Sequence, residues 1–157
     1  MRRTDWLLRL ELTSNPEMLC VVRSAVMRLT EELGFPAAEC RALTRAVDEA
    51  LTNIIRHAYG GRAGQPIELS CRRMQDRTGG RTRDGLEIVL LDQGAAADRK
   101  KLCGRSFSDV RPGGLGLHFI LDGVDVMQYK RQSRRNQLRL VKYLPGAEAR
   151  PPIAKGE

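Results

Sequence analysis

Apolar residues return along this chain at two different periods. Leu8, Leu10 and Leu12 follow Trp6 at every second position, the pattern of a half-buried strand. Ser14-Asn15-Pro16-Glu17 then offers a helix cap, an early proline and a first-turn acid. Leu19, Val22, Val26, Leu29 and Leu33 recur three and four apart, predicting a helix that Gly34 ends. Pro36 opens a second helical pattern that runs to Tyr59 and stops at Gly60-Gly61, with Leu43, Val47, Ala50, Leu51, Ile54 and Ala58 on one face. Ile67, Leu69 and Cys71 alternate as a strand, and residues 86–92 read as a buried strand. Between them, residues 75–84 are polar and hold Gly79-Gly80, predicting a hairpin loop. Residues 95–112 form a long basic connection without a period, a kind of loop that is commonly functional. An apolar helix over 114–121 and strands near 124–130 and 137–144 complete the pattern. The order is strand, two helices, two strands, loop, helix, two strands. It predicts one α/β domain over residues 1–144, a two-layer sandwich with a mainly antiparallel sheet and helices on one face. Residues 145–157, rich in Gly, Pro and Ala, read as a disordered tail.

Charge and composition narrow the chemistry. The chain has 157 residues and a formal net charge of +8, with basic residues concentrated in 72–83, 99–111 and 130–142. Aromatic residues are only 4%, so base-stacking platforms are scarce, and no helix-turn-helix or zinc-finger pattern is present. The charge is therefore read as suiting an acidic protein partner and polyphosphate, with no direct nucleic-acid contact expected. Cys20, Cys40, Cys71 and Cys103 are scattered and there are two histidines, which disfavours a zinc site and predicts free thiols in a reducing cytoplasm. No stretch approaches the length of a membrane-spanning helix, so no membrane contact is expected.

The candidate chemistry lies in three places. Glu49, Asn53 and His57 are four apart, and four residues turn a helix by roughly 400°, so the three are predicted to stack along one line. A carboxylate one turn before a carboxamide can take a proton, while the amide oxygen suits a hard cation such as Mg²⁺. The plain alternative is a solvated Glu49 paired with Arg45 one turn earlier. Next, the strand ending at Asp92 runs directly into Gln93-Gly94. Last, Gly113-Gly114-Leu115-Gly116 opens an apolar helical run, and such glycines bring backbone N–H groups close to a ligand at a helix start that attracts phosphate.

That ordered set resembles the GHKL ATPases, which bind ATP in the Bergerat fold. Within them the chain is most similar to the anti-sigma-factor serine/threonine kinases, through Glu49-Ala50, Asn53 and His57-Ala58-Tyr59 together with Gly113-Gly114-Leu115-Gly116-Leu117. The resemblance implies an ATP- and Mg²⁺-dependent kinase that binds an RNA polymerase sigma factor, phosphorylates a small antagonist protein and forms a homodimer. It implies that Glu49 is the catalytic base and that Asn53 binds the metal. Asp92 would take the adenine amino group and Gly94 would let the base lie against the backbone. Gly114, Leu115 and Gly116 would donate amides to phosphate, and Arg105 and Arg111 are candidates for the γ-phosphate charge. His57 and Tyr59 are read as structural. The chain departs from the family at Ala96, where a glycine usually stands; a positive φ there would strain an alanine. Asp98 matches the acid that commonly follows. Two other readings remain: a binding module that holds ATP or a partner without phosphotransfer, and a histidine-kinase ATPase domain.

Overall fold

The computed structural model describes residues 6–78, 80–97 and 115–146. Its elements are β1 (Trp6–Thr13), α1 (Met18–Glu32), α2 (Ala37–Asn53), a π-helical turn (Ile54–Ala58), β2 (Pro66–Thr78), β3 (Arg81–Asp92), α3 (Leu115–Gly123), β4 (Val126–Gln132) and β5 (Arg135–Tyr143). Among the described residues the strands form one sheet in the order β1-β2-β3-β5-β4, with every neighbouring pair antiparallel. This is the expected α/β two-layer arrangement.

Register explains the core. Leu8, Cys71, Ile88, Leu140 and Met127 lie in one row across the sheet, and Leu10, Leu69, Leu90 and Leu138 in the next. Both rows pack against Val22 and Val26 of α1, Leu43, Val47 and Leu51 of α2 and Ile120 of α3. Each fully buried aliphatic side chain contributes about 1.5–3 kcal/mol. The row beyond begins apolar, with Leu12 and Ile67, and then turns polar at Asp92, Asn136 and Arg131. No described helix is long and apolar enough to cross a membrane.

The opposite sheet face mixes Ser70, Arg72 and Arg139 with Val89 and the buried Val141, and it holds one buried acid among the described residues. Glu87 is 2% exposed and pairs with Arg72 of β2 and with Arg139 of β5, the latter at 2.5 Å. Burial pushes its carboxyl upward, but the hydrogen bonds and charges of the two arginines together outweigh this and hold it below the usual range.

Four expectations change. The polar stretch 75–84 is strand almost throughout: Gln75 pairs with Asp84, Asp76 with Arg83 and Thr78 with Arg81, leaving only two residues for the turn. Ion pairing of Asp76 with Arg83, and a bond from the Tyr143 hydroxyl to Asp76, make up for the missing apolar residues. The Ser14 side chain does not cap α1. It donates to Arg62 O at 2.6 Å and accepts from Gln65 N at 3.0 Å, tying the chain to the loop before β2. The last two strands begin about two residues away from the expected positions, because the tight turn between them is built on Ser133 and Arg134, both at positive φ (49° and 65°). A register shift between Trp6 and Leu8 takes Trp6 off the core row and leaves it beside Arg72, 5.2 Å from ring centroid to guanidinium carbon.

Candidate functional site

Glu49 and Asn53 lie half-buried in the last turns of α2. Helix α3 runs antiparallel beside them: as it advances from Gly116 through Phe119 to Gly123, its neighbours on α2 retreat from Glu49 and Asn53 through Arg45 to Ala42 and Ala46. Two glycines permit this closeness. A Cβ at Gly123 would stand 2.5 Å from Ala42 O, and one at Gly116 would stand 2.8 Å from Glu49 Oε2 and 3.8 Å from Asn53 Oδ1. The first turn of α3 therefore meets the carboxylate and the carboxamide, with the positive end of its dipole on the same side.

The alternative pairing of Glu49 with Arg45 does not form. The Arg45 guanidinium sits 3.2 Å over the Phe119 ring, a cation–π contact that binds α3 to α2. Among the described residues, Glu49 and Asn53 make no hydrogen bond or ion pair.

After Asn53 the helix widens into the π turn, where Tyr59 N donates to Ile54 O at 2.9 Å. Ile54 and Ile55 are both buried, and His57 is exposed. The Ala58 carbonyl accepts from Ala95 N at 2.7 Å. A Cβ at Gly94 would lie 2.4 Å from that same carbonyl oxygen, so close packing on the π turn already requires a glycine there. Tyr59 is buried; its hydroxyl donates to Pro66 O at 2.5 Å and accepts from Gln93 N at 2.9 Å. The two motifs are thus one structure, joined through Ala58 and Tyr59. Ala96 has no positive φ, so its departure from glycine costs no backbone strain.

Asp92 ends β3 and is 6% exposed. Its Oδ1 accepts from Gly94 N at 2.8 Å and from Asn136 Nδ2 at 2.7 Å. Burial raises its pKa, against the pull of these two donors and of Arg131. Asn136, Arg131 and Tyr129 were not anticipated as site residues. One sequence signal could have found Asn136: it stands two before Leu138 and four before Leu140, which makes it a polar residue at a core-facing position.

Gly114, Arg105, Arg111 and Asp98 lie outside the described residues, as does most of the 95–112 connection; Leu115 begins α3. Surface depressions of about 690 and 670 Å³ lie near the β4–β5 turn and alongside the β1–β2 edge. Of Glu49, Asn53, Asp92, Gly94 and Gly116, only Asp92 borders either.

Residues 12–142 match the family described as the histidine kinase-like ATPase domain, and the chain belongs to that family. Nucleotide binding is the property of the class. Among curated relatives, the chain is 26% identical over 141 residues to the serine-protein kinase RsbW of Bacillus pumilus, covering 85% of this chain and 83% of that one. It is 31% identical over 125 residues to RsbW of Halalkalibacterium halodurans, with 74% and 71% covered. It is also 31% identical over 105 residues to the serine/threonine-protein kinase BtrW of Bordetella bronchiseptica, with 64% and 68% covered.

Proposed function

We propose that this chain is an ATP-binding anti-sigma factor that acts as a protein serine/threonine kinase on an anti-sigma-factor antagonist. The observation that carries the reading is the Glu49 carboxylate, without a partner among the described residues, set against Gly116 at the start of α3 and one turn from Asn53. In this reading a Glu49 carboxylate oxygen accepts the proton of the substrate serine hydroxyl as its oxygen bonds to the γ-phosphorus and the bond from the γ-phosphorus to the β–γ bridging oxygen breaks, releasing ADP. Asn53, through Oδ1, would be the residue that holds Mg²⁺. Bound metal supplies neutralisation of phosphate charge. The amides of Gly114, Leu115 and Gly116 hold the phosphates, Arg105 and Arg111 balance the γ-phosphate charge, and Asp92 with Gly94 receives the adenine. The names of the relatives support the transfer to serine. The net charge of +8 suits acidic surfaces on an RNA polymerase sigma factor and on the antagonist. The protein works in the cytoplasm as a homodimer of one ATPase domain, residues 1–144, with 145–157 as a tail.

A module that binds nucleotide without transfer is the second reading; Ala96, in place of the family glycine, departs from the family pattern without straining the backbone. Transfer of labelled γ-phosphate to the antagonist separates the two. Wild type transfers, and Glu49→Gln retains ATP affinity within a few-fold while losing roughly a hundredfold or more in rate. Wild type that binds ATP and transfers nothing leaves the second reading standing.

A further inference from the structure

Asn136 is 2% exposed and stands opposite Asp92 in the β3–β5 register. Its amide meets opposite chemistry at its two ends. Three acceptors surround Nδ2: Asp92 Oδ1 at 2.7 Å, Ala95 O at 3.0 Å and Gly94 O at 3.4 Å. Two donors reach Oδ1: the Tyr129 hydroxyl at 2.7 Å and Arg131 Nη1 at 2.6 Å. Turning the amide over would set acceptors against an oxygen and donors against an NH₂ group, so its orientation is determined. The same two donors also hold the loop: Arg131 Nη1 bonds Gly94 O at 2.9 Å, and the Tyr129 hydroxyl accepts from Ala97 N at 2.9 Å.

The consequence falls on Asp92. Its Oδ1 is filled by two N–H donors, from Asn136 and Gly94, and donors of this kind favour the charged carboxylate. Oδ2 takes no donor among the described residues and stays an acceptor. Arg131 of β4 adds positive charge, Tyr59 faces from the turn after α2, and the β2 neighbour Ile67 is apolar. Burial acts the other way, favouring the neutral acid. A neutral Asp92 would become a donor and would suit a base carrying a carbonyl. Without the Asn136 donor, the balance moves in that direction.

We propose that Asn136 is a positioning residue for base selection: its amide, oriented by Tyr129 and Arg131, keeps Asp92 a hydrogen-bond acceptor, so that the pocket prefers a purine with an exocyclic amine over one with a carbonyl at the same place. The inference rests on the reading of Asp92 as the group that receives the base. Buried polar groups left unpaired by the wrong ligand give large discrimination, so one donor in this position has a measurable effect.

The test is calorimetric titration of the full chain with Mg²⁺-ATP and Mg²⁺-ITP, whose bases differ in the 6-amine or 6-carbonyl and in the N1 proton that accompanies the carbonyl. Wild type favours ATP. Asn136→Asp keeps the size of the side chain and the acceptor for Tyr129 and Arg131 but sets a carboxylate against Asp92, and the ATP:ITP affinity ratio falls roughly tenfold or more. Tyr129→Phe loosens the amide without adding charge and lowers the ratio by a smaller factor. A folded Asn136→Asp protein with the wild-type ratio overturns the proposal. If that variant does not fold, an unchanged ratio in Tyr129→Phe overturns it instead. Asp92→Ala marks the other failure: an unchanged ratio there removes Asp92 from base recognition altogether, whereas a flattened ratio with unaffected Asn136 and Tyr129 variants removes only Asn136.

Discussion

A side chain at Gly116 would stand 2.8 Å from Oε2 of Glu49, too close for the two to coexist without movement. What moves differs from one glycine to another. At Gly116 the obstacle is the free end of a flexible side chain, so Gly116→Ala displaces the carboxylate and leaves the fold intact. Alanine also favours a helix interior over glycine by about 0.5–1 kcal/mol. The expected result is an unchanged or raised melting temperature with phosphotransfer reduced by at least about tenfold. At Gly94 the obstacle is the Ala58 backbone, at 2.4 Å, which cannot swing away. Gly94→Ala is expected to cost about 1–3 kcal/mol by overpacking and to lower the melting temperature. Thermal melts beside transfer assays check both.

Asn53 has no partner in the fold among the described residues, so removing its amide takes little from stability. Asn53→Ala is expected to melt within a degree or two of wild type, as surface changes away from structural contacts usually fall within about 0.5 kcal/mol. Its ATP titration should no longer respond to Mg²⁺ or to a chelator. Metal-enhanced binding surviving in the folded variant would place the ligand elsewhere.

Glu87 makes stability depend on acid pH. Its folded-state pKa lies below the ordinary carboxylate value, so its contribution is complete above that ordinary value and is lost as pH falls through the folded one. Glu87→Gln removes the charge between Arg72 and Arg139 and is expected to destabilise the protein at neutral pH by about 1.5–3 kcal/mol, the scale of hydrogen bonds to a charged group. The gap between the two proteins should close as pH drops below the carboxylate range. Melting curves from pH 7 to pH 3 read this, and a constant gap would remove Glu87 from the acid response.

Features that depend on near neighbours along the chain were legible without the fold. Alternation placed Leu8, Leu10 and Leu12 on one strand face, and the three-and-four spacing of Val22 and Val26 turned them inward, because the periods of strand and helix are local properties of the backbone. Glu49 and Asn53 share a helix flank by helical pitch alone. The same locality made the polar 75–84 stretch read as loop and Ser14 as a cap, since cross-strand ion pairs and the 62–65 loop are not visible from neighbouring residues. Packing in three dimensions sets Arg45 on Phe119 instead of beside Glu49, makes Gly94 necessary against Ala58, and brings Asn136 of β5 against Asp92 of β3. It also decided that Glu87, inside an apolar strand, is the buried charge that Arg72 and Arg139 must match. These are contacts between residues far apart in the chain, settled by strand register and helix packing, and no local period carries them.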